Sequence, residues 1–205
     1  SGSGQPYDML HPVVGGSSIN DFCVVWERVY SSTDRDILYR MVNPAGFGEG
    51  TGFLLLDNSG ATVDTVPSIS KTNIGGKWNV AYQREFTQSR DIRGGRINGD
   101  GTLPVVTFPV EGSPLDTANP VASPCLNGTD QWIIAYERNF PTDWDIAVTY
   151  MNGDNATEIA NLSGLESITG SSANVFEDQL HAAVDSDGTS FAIVYTETVP
   201  GSATD

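Results

Sequence analysis

The chain has 205 residues, with 26 Asp plus Glu against 10 Lys plus Arg and a formal net charge of −16. Hydrophobic residues make up 39% and include 8 Phe, 7 Tyr and 4 Trp, which is too apolar and aromatic for a disordered chain. The acidity argues against nucleic acid or an anionic membrane as the main ligand, and no apolar run is long enough to span a bilayer.

Residues 1–10 read as a linker or N-terminal extension. The opening Ser1-Gly2-Ser3-Gly4 has the composition of a linker, a cloning scar or an end left by processing. The rest, 11–205, is organised by self-similarity. A short apolar stretch comes first in each unit: Pro12-Val-Val14, Pro67-Ser-Ile69, Pro120-Val-Ala122 and Ala182-Ala-Val184. An aromatic strand follows: Phe22-Cys-Val-Val-Trp26-Glu-Arg28, Trp78-Asn-Val-Ala-Tyr82-Gln-Arg84 and Trp132-Ile-Ile-Ala-Tyr136-Glu-Arg138. The fourth copy, Phe191-Ala-Ile-Val-Tyr195-Thr-Glu197, loses the arginine. The first aromatics are spaced by 56, 54 and 59 residues. A third strand starts at Asp36-Ile37, Asp91-Ile92 and Asp145-Ile146, and Asn98-Gly-Asp-Gly101 and Asn152-Gly-Asp154 mark the turns that close it.

The side-chain period inside each unit is two, with both faces apolar near the centre, as in strands buried between two layers. Helix signals are nearly absent; Asn174 with Glu177 resembles a capping box for one short turn, although the repeat register makes the end of that stretch a strand. The expected fold is therefore all-β, with tandem four-stranded antiparallel blades of β-propeller type. About 3.5 repeats of about 55 residues place blades at approximately 11–66, 67–119, 120–179 and a half blade at 180–205, an incomplete ring. Two such chains would make a ring of seven.

These segments resemble the propeller repeats of secreted bacterial proteins, including TolB-type blades, with Trp132 to Asn155 the nearest match. The resemblance covers residues 10 to 200 and implies a fold and an extracellular or cell-surface location. It implies no activity.

Candidate site residues fall into a few sets. Arg28, Arg84 and Arg138 each precede an aspartate on the next strand, so cross-hairpin pairs Arg28–Asp36, Arg84–Asp91 and Arg138–Asp145, or cation–π stacking, explain them structurally. Asp8, Asp64, Asp116 and Asp178 precede the four apolar stretches and gather charge at one face, which suits Ca²⁺ or a cationic partner; solvated turn aspartates are the competing reading. No other cofactor is implied. His11 and His181 fall at equivalent positions near the channel. Cys23 and Cys125 lie two units apart and read as free thiols. Sequons occur at Asn127, Asn155 and Asn161. No catalytic motif stands out. The main expectation is a non-catalytic structural or binding module. A carbohydrate-active propeller enzyme and an assembly module pairing with a protein or a second copy through its open blade edges are the alternatives.

Overall fold

The computed structural model describes residues 7–17, 21–45, 48, 54–57, 60–103, 107–110, 115–140, 143–153, 157–158 and 178–198. The capping-box candidate Asn174–Glu177 and the sequon asparagines Asn155 and Asn161 lie outside the described residues.

Strands follow the repeat. β1 (Asp8–Gly16), β2 (Phe22–Ser31), β3 (Asp34–Val42) and β4 (Leu54–Leu55) pair antiparallel in chain order. So do β5 (Val63–Ile69), β6 (Lys77–Glu85), β7 (Arg90–Asn98) and β8 (Phe108–Pro109). A third set comprises β9 (Thr117–Ala122), β10 (Gln131–Asn139), β11 (Trp144–Asn152) and β12 (Thr157–Glu158). A two-stranded sheet, β13 (Gln179–Ser186) with β14 (Phe191–Glu197), ends the series. Parallel bridges from Arg35 to Val63 and from Gly16 to Thr72 join the first two sheets. The first strands of successive sheets lie side by side, β1 against β5, β5 against β9 and β9 against β13. That is the arrangement of propeller blades around a channel. The ring is not closed among the described residues.

The period of two explains how one sheet serves two interfaces. Val80 and Tyr82 of β6 point into a core shared with Cys23, Val25, Ile37 and Tyr39 of the first sheet. Ala81, between them, points the other way into a core with Trp132, Ile134 and Tyr136. Ile133 and Ala135 in turn face Val184, Phe191 and Ile193 of the last sheet. Each one-residue step switches layers, so a slip of register would exchange the contents of two cores. Both thiols are free and buried, and burial pushes Cys23 up to about 12.

Buried polar ties fix the sheets to one another. Trp78 Nε1 donates to Gly16 O at 3.0 Å, and Tyr39 OH donates to Gly101 O at 2.8 Å. The fully buried Arg96 donates through Nε to Asn79 Oδ1 at 3.0 Å and through Nη2 to Asp130 Oδ1 at 3.1 Å. Such groups stabilise only while they remain paired.

The first two sheets approach closely at Gly15, where a Cβ would collide with Ser70 O and lie 2.7 Å from Trp78 Cδ1. Gly15→Ala is therefore expected to lower unfolding free energy by about 1–3 kcal/mol. Urea denaturation followed by Trp fluorescence measures this; an unchanged midpoint would contradict the packing described.

Candidate functional site

The channel-side strands share an irregularity. Pairing jumps between Leu10 and Val13 in β1, between Thr65 and Ser68 in β5, opposite Ala135 and Glu137 in β9, and between Leu180 and Ala183 in β13. Each jump is a β-bulge whose first residue has a left-handed backbone: His11 (φ 49°), Val66 (50°), Asn119 (50°) and His181 (57°). Pro12, Pro67 and Pro120 come next, and a bulge suits proline because it demands no ladder N–H there. A β-branched valine at positive φ is costly, and such strain persists only where its surroundings hold it.

Opposite the residue that precedes each bulge the second strand supplies a polar side chain, at Glu27, Gln83, Glu137 and Thr196. Glu27 is fully buried, with Oε2 3.0 Å from His11 Nδ1 and Oε1 accepting from Arg35 Nη1 at 2.8 Å. Glu137, also buried, accepts from Asn119 Nδ2 at 2.6 Å and from the backbone N of His181, in the next sheet, at 2.8 Å. Gln83 Nε2 donates to Thr65 Oγ1 at 3.3 Å, and Thr196 Oγ1 lies 3.3 Å from His181 Nδ1. Two buried carboxylates thus brace exposed polar residues; the His11 side chain is 57% exposed. Sequence reasoning placed His11 and His181 in equivalent positions but missed Glu27 and Glu137. Their signal was an acid embedded between an aromatic and an arginine in a strand buried on both sides, and Gln83 interrupts the series.

The three arginines stand directly across their hairpins from Asp36, Asp91 and Asp145. Their guanidinium surroundings differ. Arg28 Cζ lies 4.3 Å from the Tyr7 ring and 4.9 Å from Tyr30, and Arg138 Cζ lies 5.5 Å from Phe140, so cation–π contacts form here. Arg84 instead makes a two-pronged pair with Asp64, at 2.7 and 2.8 Å, and lies 3.1 Å from Asp57. Asp57 also accepts from Tyr82 and Thr107. Burial would raise it, but those hydrogen bonds with the charges of Arg84 and Arg93 hold it below the usual carboxylate range. Burial keeps Asp64 above that range despite Arg84.

Asp8, Asp64, Asp116 and Asp178 do not occupy one register position. Asp8 and Val63 face the residue after the arginine position, Asp64 faces Arg84 itself, and Thr117 and Gln179 occupy the Asp64 position. Asp64 is thus one residue out of step with the other three, on the opposite face of its strand. Asp116 accepts from Arg90 through N at 2.7 Å, Nε at 2.9 Å and Nη2 at 2.5 Å, and these bonds hold it below its ordinary range against partial burial. Asp178 Oδ1 accepts from Trp144 N at 3.0 Å. Among the described residues no group of three or more His, Cys, Asp or Glu is placed to hold a metal ion.

No family model matches this chain, and no curated protein matches it. Solved structures do. An α-L-arabinofuranosidase from Lactobacillus brevis aligns at TM-score 0.50 and 10% identity, over 96% of this chain and 67% of that one. An endo-arabinase from Bacteroides thetaiotaomicron VPI-5482 aligns at TM-score 0.48 and 15% identity, over 73% of this chain and 58% of that one. At such identities the arabinofuranosidase likeness shows the fold, a β-propeller, and this chain spans little more than half the length of the endo-arabinase. Two expectations are corrected by these findings. The TolB-type assignment has no support among the matches. The non-catalytic module is overturned as the main reading, because the structure whose fold it shares is an enzyme, an α-L-arabinofuranosidase. No helix among the described residues is long and apolar enough to cross a membrane.

Asp36 gives this face a measurable pH dependence. Burial first, then the charges of Asp34, Asp64 and Asp57, push its carboxyl up to about 6 against the pull of Arg28. A folded-state value above the unfolded one means that the ionised form costs stability above pH 6, and that this cost vanishes as pH falls toward 4. Asp36→Asn is expected to be more stable than the parent by about 1–2 kcal/mol at pH 7.5, with the difference closing by about pH 4. Denaturant titrations at both pH values check this; a pH-independent difference would contradict it.

Proposed function

We propose that the chain is the channel-forming part of a secreted, carbohydrate-active propeller that hydrolyses glycosidic bonds in arabinose-containing polysaccharides. The observation that carries this reading is the pair of buried carboxylates, Glu27 and Glu137, set at one register position behind the exposed residues His11, Asn119 and His181. Glycoside hydrolysis needs proton donors and acceptors held on both sides of the scissile bond. Here Glu27 fixes Nδ1 of His11, which leaves Nε2 for a ligand, and Glu137 orients the Asn119 amide. Their roles are positioning ones, with the exposed side chains touching the sugar.

The fold likeness to the arabinofuranosidase supports the substrate class. Three and a half sheets match 67% of that chain, so a complete ring on its plan has roughly five blades, within the range known for propellers. A secreted location follows from a polymeric substrate that does not enter cells. The comparisons lend no support to a protein partner at the sheet edges.

The test is release of reducing sugar from arabinan and of the aryl group from an aryl arabinofuranoside by the complete natural protein. Glu27→Gln and Glu137→Gln are each expected to lower kcat about 100-fold while retaining a cooperative melt. Absence of turnover by the parent protein on both substrates would overturn the proposal.

A further inference from the structure

The three β2–β3-type hairpins carry an aromatic residue two positions past each arginine: Tyr30, Phe86 and Phe140. Arg28 lies over Tyr30 and Arg138 over Phe140, and both rings are half-buried. In the second sheet the Arg84 guanidinium is engaged by Asp64, an acid at a position that is Met9, Thr117 or Gln179 in the other sheets. Phe86 stands 52% exposed.

Beside it is an open cleft of about 380 Å³ lined by Glu85, Phe86, Thr87, Gln88, Ser89, Arg90 and Asp116. The hairpin is closed by Phe86 N donating to Ser89 O at 2.8 Å. Arg90, whose Cζ lies 5.4 Å from the Trp144 ring, is fixed on Asp116 by the bonds described above. The floor of the cleft is thus a rigid ion pair, and its walls are an aromatic ring, an amide, two hydroxyl side chains and the Glu85 carboxylate. The cleft opens at the end of the sheets where the bulged first strands begin, because the β6–β7 hairpin and the entry to β9 meet there.

We propose that this cleft is a subsite for one neutral sugar unit of a polysaccharide whose reacting bond lies at the channel. The inference rests on the carbohydrate reading above and extends it to chain recognition. The apolar C–H face of a sugar ring packs on Phe86, and neighbouring hydroxyls donate to the Asp116 carboxylate and bond the Gln88 amide. Such a mixture of one apolar wall with a few fixed polar groups is the usual composition of small-molecule sites. The net charge of −16 disfavours uronate-rich chains and selects neutral ones.

Affinity gel electrophoresis with arabinan in the gel tests this on the full chain, independently of turnover. Phe86→Ala is expected to raise the apparent Kd about three- to tenfold, and Gln88→Ala to raise it by a smaller factor. Phe22→Ala, which removes an exposed aromatic at the far end of β2, serves as the control and should migrate like the parent. Unchanged retention of both Phe86→Ala and Gln88→Ala, or no retention of the parent, overturns the subsite. Retention that falls with Phe86→Ala in a protein showing no hydrolysis supports the subsite and counts against the hydrolytic reading alone. Hydrolysis with Phe86→Ala retained like the parent does the reverse.

Discussion

A strand buried on both faces has no free register, and this constraint organises the molecule. In β6 and β10 each residue belongs to one inter-sheet core and its neighbour to the next. The alternation leaves no residue whose side chain can change sides without emptying one core and overfilling another. Departures from regular pairing fall where the sheet meets the channel, apart from one between Val29 and Ser31 beside the β2–β3 turn. The bulges at His11, Val66, Asn119 and His181 are such places, and they recur in all four described sheets.

Buried charge follows the same logic. A carboxylate deprived of water is costly without partners, and Glu27, Asp57, Asp64 and Glu137 have them, while Oδ1 of the buried Asp36 has no hydrogen bond. Glu27 holds His11 and Arg35, Glu137 holds Asn119 and the backbone of the next sheet, and Asp64 holds Arg84. The Glu137–His181 bond matters most for shape, because it passes between sheets and ties one bulge to the next. The strained backbone and the buried carboxylate thus support each other: the acid is satisfied by groups that the bulge presents, and the bulge is held by the acid. Pre-organised polar groups of this kind are what a site that transfers protons requires.

The fold was legible because its signal was repeated. Phe22, Trp78, Trp132 and Phe191 recur at nearly constant spacing, and the alternation between them points to strands buried on both sides. The bulges were not legible. Pro12, Pro67 and Pro120 marked them, but a proline in a first strand reads equally well as a strand start. The aspartate row misled for a definable reason: Asp64 precedes its proline by three residues and the others precede the bulge's second residue by four, and in a strand that single residue reverses the side chain's direction. The choice between ion pairing and cation–π stacking also depended on an unrepeated residue. Asp64 draws Arg84 into a carboxylate pair, while Arg28 and Arg138 lie over aromatic rings.

The central claim is that the bulge residues form the ligand-facing wall of a carbohydrate site. The chain has only two histidines, both at bulges, so its imidazole NMR signals report that wall without assignment of the rest. Titration of the complete natural protein with a neutral arabino-oligosaccharide should move the ring resonances of both His11 and His181 in one saturable transition. Saturable binding that leaves both imidazoles unmoved would contradict the account.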